Sequence, residues 1–238
     1  QVFMVGIEGF ILDILIVGLT LTLGIFLGIK IFKLDRDTSI LISSGAAICG
    51  AAAVLATEGV LKSEPHKAAI GILSVVLFGT TAMFLYPFIQ HMGWLNLNDT
   101  QYGIYAGATI HEVAQVVVAG NGVSAEAGNI AVIVKMTRVM LLAPMLIILG
   151  MCLMRNNKKT VTTHQDKSSS LLKTIPLFAV LFIVAVGFNS LDLLPHTLVN
   201  GINQIDTFLL TLAMAALGIE TNLQKVKQIG LKPLYLSL

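Results

Sequence analysis

The chain has 238 residues, 55% of them hydrophobic and 12% charged, with a formal net charge of +2. Soluble domains carry roughly 25% charged residues, so this balance excludes an ordinary soluble fold and points to a polytopic membrane protein. The small charge excludes nucleic acid as a partner, which needs a basic face.

A helix needs about 20 apolar residues to cross the hydrocarbon core. In chain order the sequence predicts spans A (7–32), B (39–60), C (67–90), D (101–119), E (127–153), F (174–194) and G (197–220), and residues 230–238 read as the start of an eighth. No long run alternates with a period of two, which excludes a strand barrel. The chain opens on Gln1 inside an apolar segment and stops within another, so it reads as a piece of a longer protein. The expected organisation is helices A–E over 1–154, a polar cytoplasmic loop over 155–173, and helices F, G and the next start over 174–238.

If all seven segments span, Lys30, Lys33, Arg36, Arg155, Lys158, Lys159, Lys167, Lys173, Lys225, Lys227 and Lys232 fall on one side. Only Lys62 and Lys67 fall in loops on the other. The positive-inside rule makes the first side cytoplasmic.

Segment B has a small, partly polar centre at Ser43, Ser44, Gly45, Ala46, Ala47, Ile48, Cys49 and Gly50. Close helix packing through small residues is one reading. The other is a discontinuous helix, whose freed N–H groups meet an anion at mid-membrane. Segment G, aligned to B, matches at Ala51/Ala213, Ala53/Ala215, Glu58/Glu220 and Leu61/Leu223, and would cross in the opposite direction, as an inverted repeat requires.

Segment D carries His111, Glu112 and Gln115, and segment E carries Lys135 and Arg138. At 1.5 Å per residue, Glu112 and Lys135 lie about 10 and 12 Å from the D–E turn and Arg138 about 16 Å. An antiparallel hairpin brings them to similar depth, where ionisable groups must pair. On a continuous helix, His111 and Gln115 share a face while Glu112 points about 100° away from His111. Three readings stand: a polar lock between D and E, a proton- or ion-coupling pair beside an anion-attracting Lys135 and Arg138, or a zinc peptidase. The last fails because "HEVAQ" puts Gln115 where HExxH needs its second histidine. Cys49 and Cys152 form no ligand-spaced cluster. No metal, cofactor or catalytic set is expected.

The stretches "SSGAAICGAAAVLATEGVLK", "FGTTAMFLYP", "YAGATIHEVAQVVVAG", "KMTRVMLLAPMLI", "FNSLDLLP" and "DTFLLTLAMAALGIET" resemble the bacterial YeiH-type family, whose family-level label is sulfate export. That group is similar to the bile-acid-symporter-like and cation–proton-antiporter-like transporters. The resemblance implies an all-α inner-membrane bundle of two inverted five-helix repeats, with interrupted helices at B and G crossing at its centre. It also implies that some helices precede this chain and one follows it.

The function expected is therefore secondary transport of a small anion, outward, by alternating access. Substrate would touch Ser43, Ser44, Gly45, Cys49 and Gly50, with Lys135 and Arg138 supplying positive potential and His111, Glu112 and Gln115 coupling a proton or cation. The lipid bilayer is the other partner, and a homodimer is one assembly open to it. The alternatives are a proton- or cation-coupled exchanger of an organic acid, and a membrane-embedded enzyme or sensor built on His111 and Glu112.

Overall fold

The computed structural model describes residues 2–157, a few positions between 184 and 212, and residues 231–237. Segments F and G, the B–G match and most of the polar loop lie outside the described residues. Within them the chain is helical: α1 (Val2–Lys30), α2 (Arg36–Ala47), α3 (Ala51–Leu61), α4 (Pro65–His91), α5 (Asp99–Thr109), α6 (Val113–Asn121), α7 (Ala125–Met140), α8 (Leu142–Asn157) and α9 (Leu231–Leu236). Among the described residues, three stretches are long and apolar enough to cross a membrane: Asp13–Lys30 of α1, α4, and Ala125–Leu153 of α7 and α8.

Segments B and D do not cross. Each is a hairpin of two half-helices. The arm α2 has 12 residues and α3 has 11, so each reaches about 17 Å, half the thickness of a bilayer core with a small margin. Their direction follows from which ends meet. Lys67, at the start of α4, has its Nζ 2.9 Å from Asp35 Oδ2 and 3.5 Å from Asp37 Oδ2, at the start of α2. The end of α3 is tied to the start of α4 by only three residues, 62–64. The two arms therefore begin and end at one surface, and Leu41 of α2 and Val54 of α3 share one buried cluster with Ala68 and Val75 of α4.

The second hairpin enters from the opposite surface. Thr100, at the start of α5, donates to Glu126 Oε1 at the start of α7 (3.3 Å), and Tyr102 Oη donates to Ala119 C=O near the end of α6 (3.2 Å). At that same surface His91, the last residue of α4, has Nε2 2.9 Å from the Gly122 carbonyl oxygen. So α4 crosses from the first surface to the second, and α7 with α8 crosses back.

This corrects the count of spans and one charge assignment. Lys62 and Lys67 lie at the same surface as Lys30, Lys33 and Arg36. The short connections 92–98 and 122–124 at the other surface carry no Lys or Arg. The positive-inside bias keeps its direction and sharpens.

Local chemistry sets the arm ends. Asp35 caps α2 by accepting the Thr38 N–H (3.2 Å), Asn98 caps α5 through Gln101 N–H (2.8 Å), and Ser124 caps α7 through Ala127 N–H (3.1 Å). Small residues allow the arms to lie close. A Cβ on Gly28 would meet Ser39 Oγ at 2.6 Å, and one on Gly103 would meet Ala127 C=O and Ile130 Cβ at 2.8 Å. Tyr102, Ala106, Ala127 and Ala131 are fully buried between α5 and α7.

Candidate functional site

The tips of the two hairpins meet. Tip 1 is Ile48–Gly50 and tip 2 is Ile110–Glu112, and all five side chains are buried. Irregular backbone at membrane depth is tolerated only where protein shields it, and here it is shielded.

Tip 1 folds as its sequence suggests. The α2 helix runs out as Ile48 N–H donates to Ser44 C=O (3.2 Å) and Gly50 N–H to Gly45 C=O (2.9 Å). Gly50 then takes φ +70° and ψ −129°, a conformation that only glycine adopts cheaply, and α3 starts at the next residue. The break thus falls at residues 48–50. Ser43, Ser44 and Gly45, expected to offer free hydroxyls and N–H groups, are instead inside α2. Ser43 Oγ donates to Ser39 C=O (2.7 Å) and Ser44 Oγ to Leu41 C=O (2.8 Å). A Cβ on Gly45 would meet Val54 at 2.7 Å and Val75 at 3.0 Å, so Gly45 is a packing position. These three residues shape tip 1 and do not present polar groups at it.

Tip 2 breaks where no glycine or proline stands. The α5 helix ends with Ile110 N–H on Ala106 C=O (3.0 Å), and Ile110 leaves the helical region at ψ 140°. The cause is on α7. Lys135 Nζ, on a side chain with no exposed surface, donates to Ile110 C=O at 2.6 Å. Arg138 Nη1 donates to Ala108 C=O. Two cations thus meet the negative end of α5 and satisfy carbonyls that lipid could not. Arg138 Nε also lies 3.5 Å from Asp13 Oδ1, and Thr137 Oγ1 donates to Asp13 Oδ2. Asp13 is 4% exposed in the middle of α1. Asp13 is not among the residues expected from the sequence to serve the site, although an acid inside an apolar span is itself a signal.

His111 and Glu112 are therefore not on a helix, and the helical face shared by His111 and Gln115 does not exist. Glu112 is the N-cap of α6, and its own N–H donates to Gln115 Oε1 (3.3 Å). Gln115 Nε2 reaches Thr80 Oγ1 (3.2 Å) and Val76 C=O (3.4 Å), so Gln115 anchors tip 2 to α4. The Glu112 carboxylate, at the capping box of α6, also reaches beyond its own half-helix. Its Oε1 accepts the N–H of Ala51, the first residue of α3, at 3.3 Å. A Cβ on Gly50 would meet Glu112 Cγ at 2.5 Å, so the missing side chain makes room for this contact. The imidazole of His111 is buried, and its Nδ1 finds no partner among the described residues. Cys49 is buried at tip 1, and no group of metal-binding side chains forms among the described residues.

The arrangement places two helix N-termini, those of α3 and α6, at one junction in mid-membrane. The carbonyl end of α5 is met by Lys135 and Arg138. The carbonyl end of α2 is there too, its Ser44 and Gly45 C=O taken by the Ile48 and Gly50 N–H groups, and the described residues add the Glu112 carboxylate, the His111 imidazole and the Cys49 thiol.

Comparison with known proteins gives the family. The family described as "Conserved hypothetical protein 698" matches residues 1–237. The chain is 48% identical over 242 residues to a UPF0324 membrane protein of Yersinia pestis, covering all of this chain and 66% of that protein. It is 49% identical over 238 residues to the UPF0324 inner membrane protein YeiH of Escherichia coli O6:H1, covering 100% and 66%. A UPF0324 membrane protein of Bacteroides thetaiotaomicron is 46% identical over 238 residues, covering 100% and 70%. The chain thus spans about two thirds of the length of the curated relatives it matches. No solved structure matches. Apolar crossing helices, half-length hairpins and whole-chain identity to proteins of the bacterial inner membrane agree, and the chain belongs to the UPF0324, YeiH-type family of multi-pass membrane proteins.

Proposed function

We propose that this chain forms the core of a secondary transporter that moves a small anion across the bacterial inner membrane by alternating access around the hairpin tips. The observation that carries the reading is the meeting of two half-length hairpins from opposite surfaces, with Glu112 of one tip on the α3 N–H of the other. Non-helical backbone and half-helix ends at mid-membrane are the parts from which transporter sites are built. Neither hairpin alone closes the barrier, so a movement of either one opens the junction to one surface.

The anion follows from the charges. Lys135 and Arg138 quench the carbonyl end of α5, and the N-termini of α3 and α6 stay directed at the junction. Substrate would contact Cys49, Gly50 and Ala51 from tip 1 and His111 from tip 2. Sulfate is the first anion to test, because the family-level label that the sequence resembles names it. Proton-coupled exchange of an organic acid is the second reading, favoured by the buried carboxylate of Glu112 at the junction.

Flux measurements on the full-length protein in liposomes test this. Labelled sulfate efflux is expected to depend on the protein and on a pH gradient, and Glu112→Gln is expected to abolish the pH dependence. Absence of protein-dependent flux for every inorganic and organic anion tried rejects transport. Flux by Glu112→Gln equal to wild type and indifferent to the gradient removes Glu112 from coupling.

A further inference from the structure

The two hairpins are related in sequence as well as in shape. Residues 42–54, "ISSGAAICGAAAV", align with 104–116, "IYAGATIHEVAQV", at a constant separation of 62 positions. Ile42/Ile104, Gly45/Gly107, Ala46/Ala108, Ile48/Ile110, Ala52/Ala114 and Val54/Val116 are identical, and the tips coincide. In each unit the leading arm packs parallel to the crossing helix that follows: α2 along α4, and α5 along α7. The two crossing helices run in opposite directions. The relation therefore joins B to D.

Within this alignment the chemistry is one-sided. Cys49 and Gly50 of tip 1 and Ala53 of α3 stand where the second hairpin has His111 and Glu112 at its tip and Gln115 in α6. The carboxylate of tip 2 reaches beyond its own half-helix to the first N–H of the other one, in the space that Gly50 leaves open.

We propose that Glu112 is a latch: its charged carboxylate, held on the Ala51 N–H beside Gly50, keeps the two hairpin tips closed on each other, and neutralising it releases them. The groups facing Glu112 are Lys135 from α7, with Arg138 one turn on and Asp13 of α1 behind it, the Cys49 thiol from tip 1, and His111 on its own tip. From α4, Val76 and Thr80 reach the same tip, but through Gln115. Lys135 and Arg138 are committed to α5 carbonyls, and Arg138 also to Asp13, so the Ala51 N–H is the one group outside its own half-helix seen to bond the Glu112 carboxylate among the described residues. Protonation leaves a neutral acceptor there, and an anion entering the junction competes for the same N–H. The latch rests on the reading of the tips as moving parts of a transporter and gives that site its regulation.

Cys49 reports the latch, because it is 7% exposed at the junction. In the full-length protein with all other cysteines replaced, modification of Cys49 by N-ethylmaleimide is followed at fixed pH. A charged hydrogen bond is worth about a factor of ten or more, so Glu112→Gln is expected to raise the rate about tenfold at neutral pH. Gly50→Ala, which displaces Glu112 without removing its charge, is expected to do the same. The ratio of the Glu112→Gln rate to the wild-type rate should fall toward one as the pH is lowered. Ala106→Cys, a fully buried position between α5 and α7, reports unfolding and should stay unreactive in each variant. The latch is overturned if Cys49 reacts at the wild-type rate in both variants, or if Cys49 and the 106 reporter become reactive together in both. Sulfate flux plays no part in this readout, so a failed latch and a failed transport reading are told apart.

Discussion

Lys135 is a fully buried cation whose nearest recorded partner is a carbonyl and not a carboxylate. The choice makes sense where a helix has to end inside a membrane. Ile110 C=O has no helical donor, and an ammonium at 2.6 Å satisfies it with a charge-assisted bond. Lys135→Met keeps the volume and removes the donor. The expected loss is about 2 kcal/mol of stability, seen as a lower thermal midpoint of the detergent-solubilised full-length protein. At the first tip Gly50 is fixed by backbone shape and by Glu112, so Gly50→Ala combines strain of about 1–3 kcal/mol with a displaced carboxylate. At the surface, Asp35 has the opposite chemistry. Partial burial pushes its carboxyl up, but bonds from Thr38 and Lys67 outweigh this and hold it below its ordinary value of 3.8. A depressed carboxyl stabilises the fold above its unfolded value, and the contribution disappears as the pH falls through the folded one. An acid melt of Asp35→Asn should therefore lose part of the steepening that wild type shows below about pH 4.

At the scale of elements, glycine has two opposite uses in the arms. Gly103 of α5 has no room, because a Cβ would meet α7 backbone and Ile130 at 2.8 Å. Gly59 of α3 has open space among the described residues. The same change, to alanine, should therefore have opposite signs. Gly59→Ala gains helix propensity and should stabilise by up to about 1 kcal/mol. Gly103→Ala should destabilise by about 1–3 kcal/mol, because α5 must move off α7. Thermal unfolding of the two variants side by side checks both signs. The helical ends that the structure shows were partly legible: Asp35, Asn98 and Ser124 are ordinary capping residues before apolar runs. The end of α5 was not, because "ATIHEV" has no breaker and its stop is imposed from α7.

For the whole molecule, the deciding contact is the ion pair between Lys67 and Asp35. It joins two connections that a count of apolar segments places on opposite surfaces. Single cysteines at Lys33, Lys62 and Asn96 test this in cells. Lys33→Cys and Lys62→Cys should label from the same side with a membrane-impermeant maleimide, and Asn96→Cys from the other. Labelling of positions 33 and 62 from opposite sides would restore the spanning form of segment B and remove the hairpin.

Composition and hydropathy alone determined the class of this protein and the existence of apolar segments A to E, and marked residues 43–50 as either a packing site or a break. These are local properties: transfer of side chains into lipid, and a backbone angle that only glycine takes cheaply. Depth along the chain also placed residues 110–112 level with Lys135, because α6 and α7 are antiparallel and joined by a short turn, but α5 runs parallel to α7, and the continuous antiparallel helix D expected from the sequence does not form. Whether a segment crosses or turns back was decided by the tertiary structure. A 22-residue apolar run has the same hydropathy straight or folded in half, and only the packing of α2 on α4 and of α5 on α7 distinguishes them. The partners of "GATIHEV" were decided the same way. Lys135 and Arg138 end one half-helix, and Glu112 reaches past its own to the other tip, because an unpaired polar group in a bilayer takes the nearest complementary one in space.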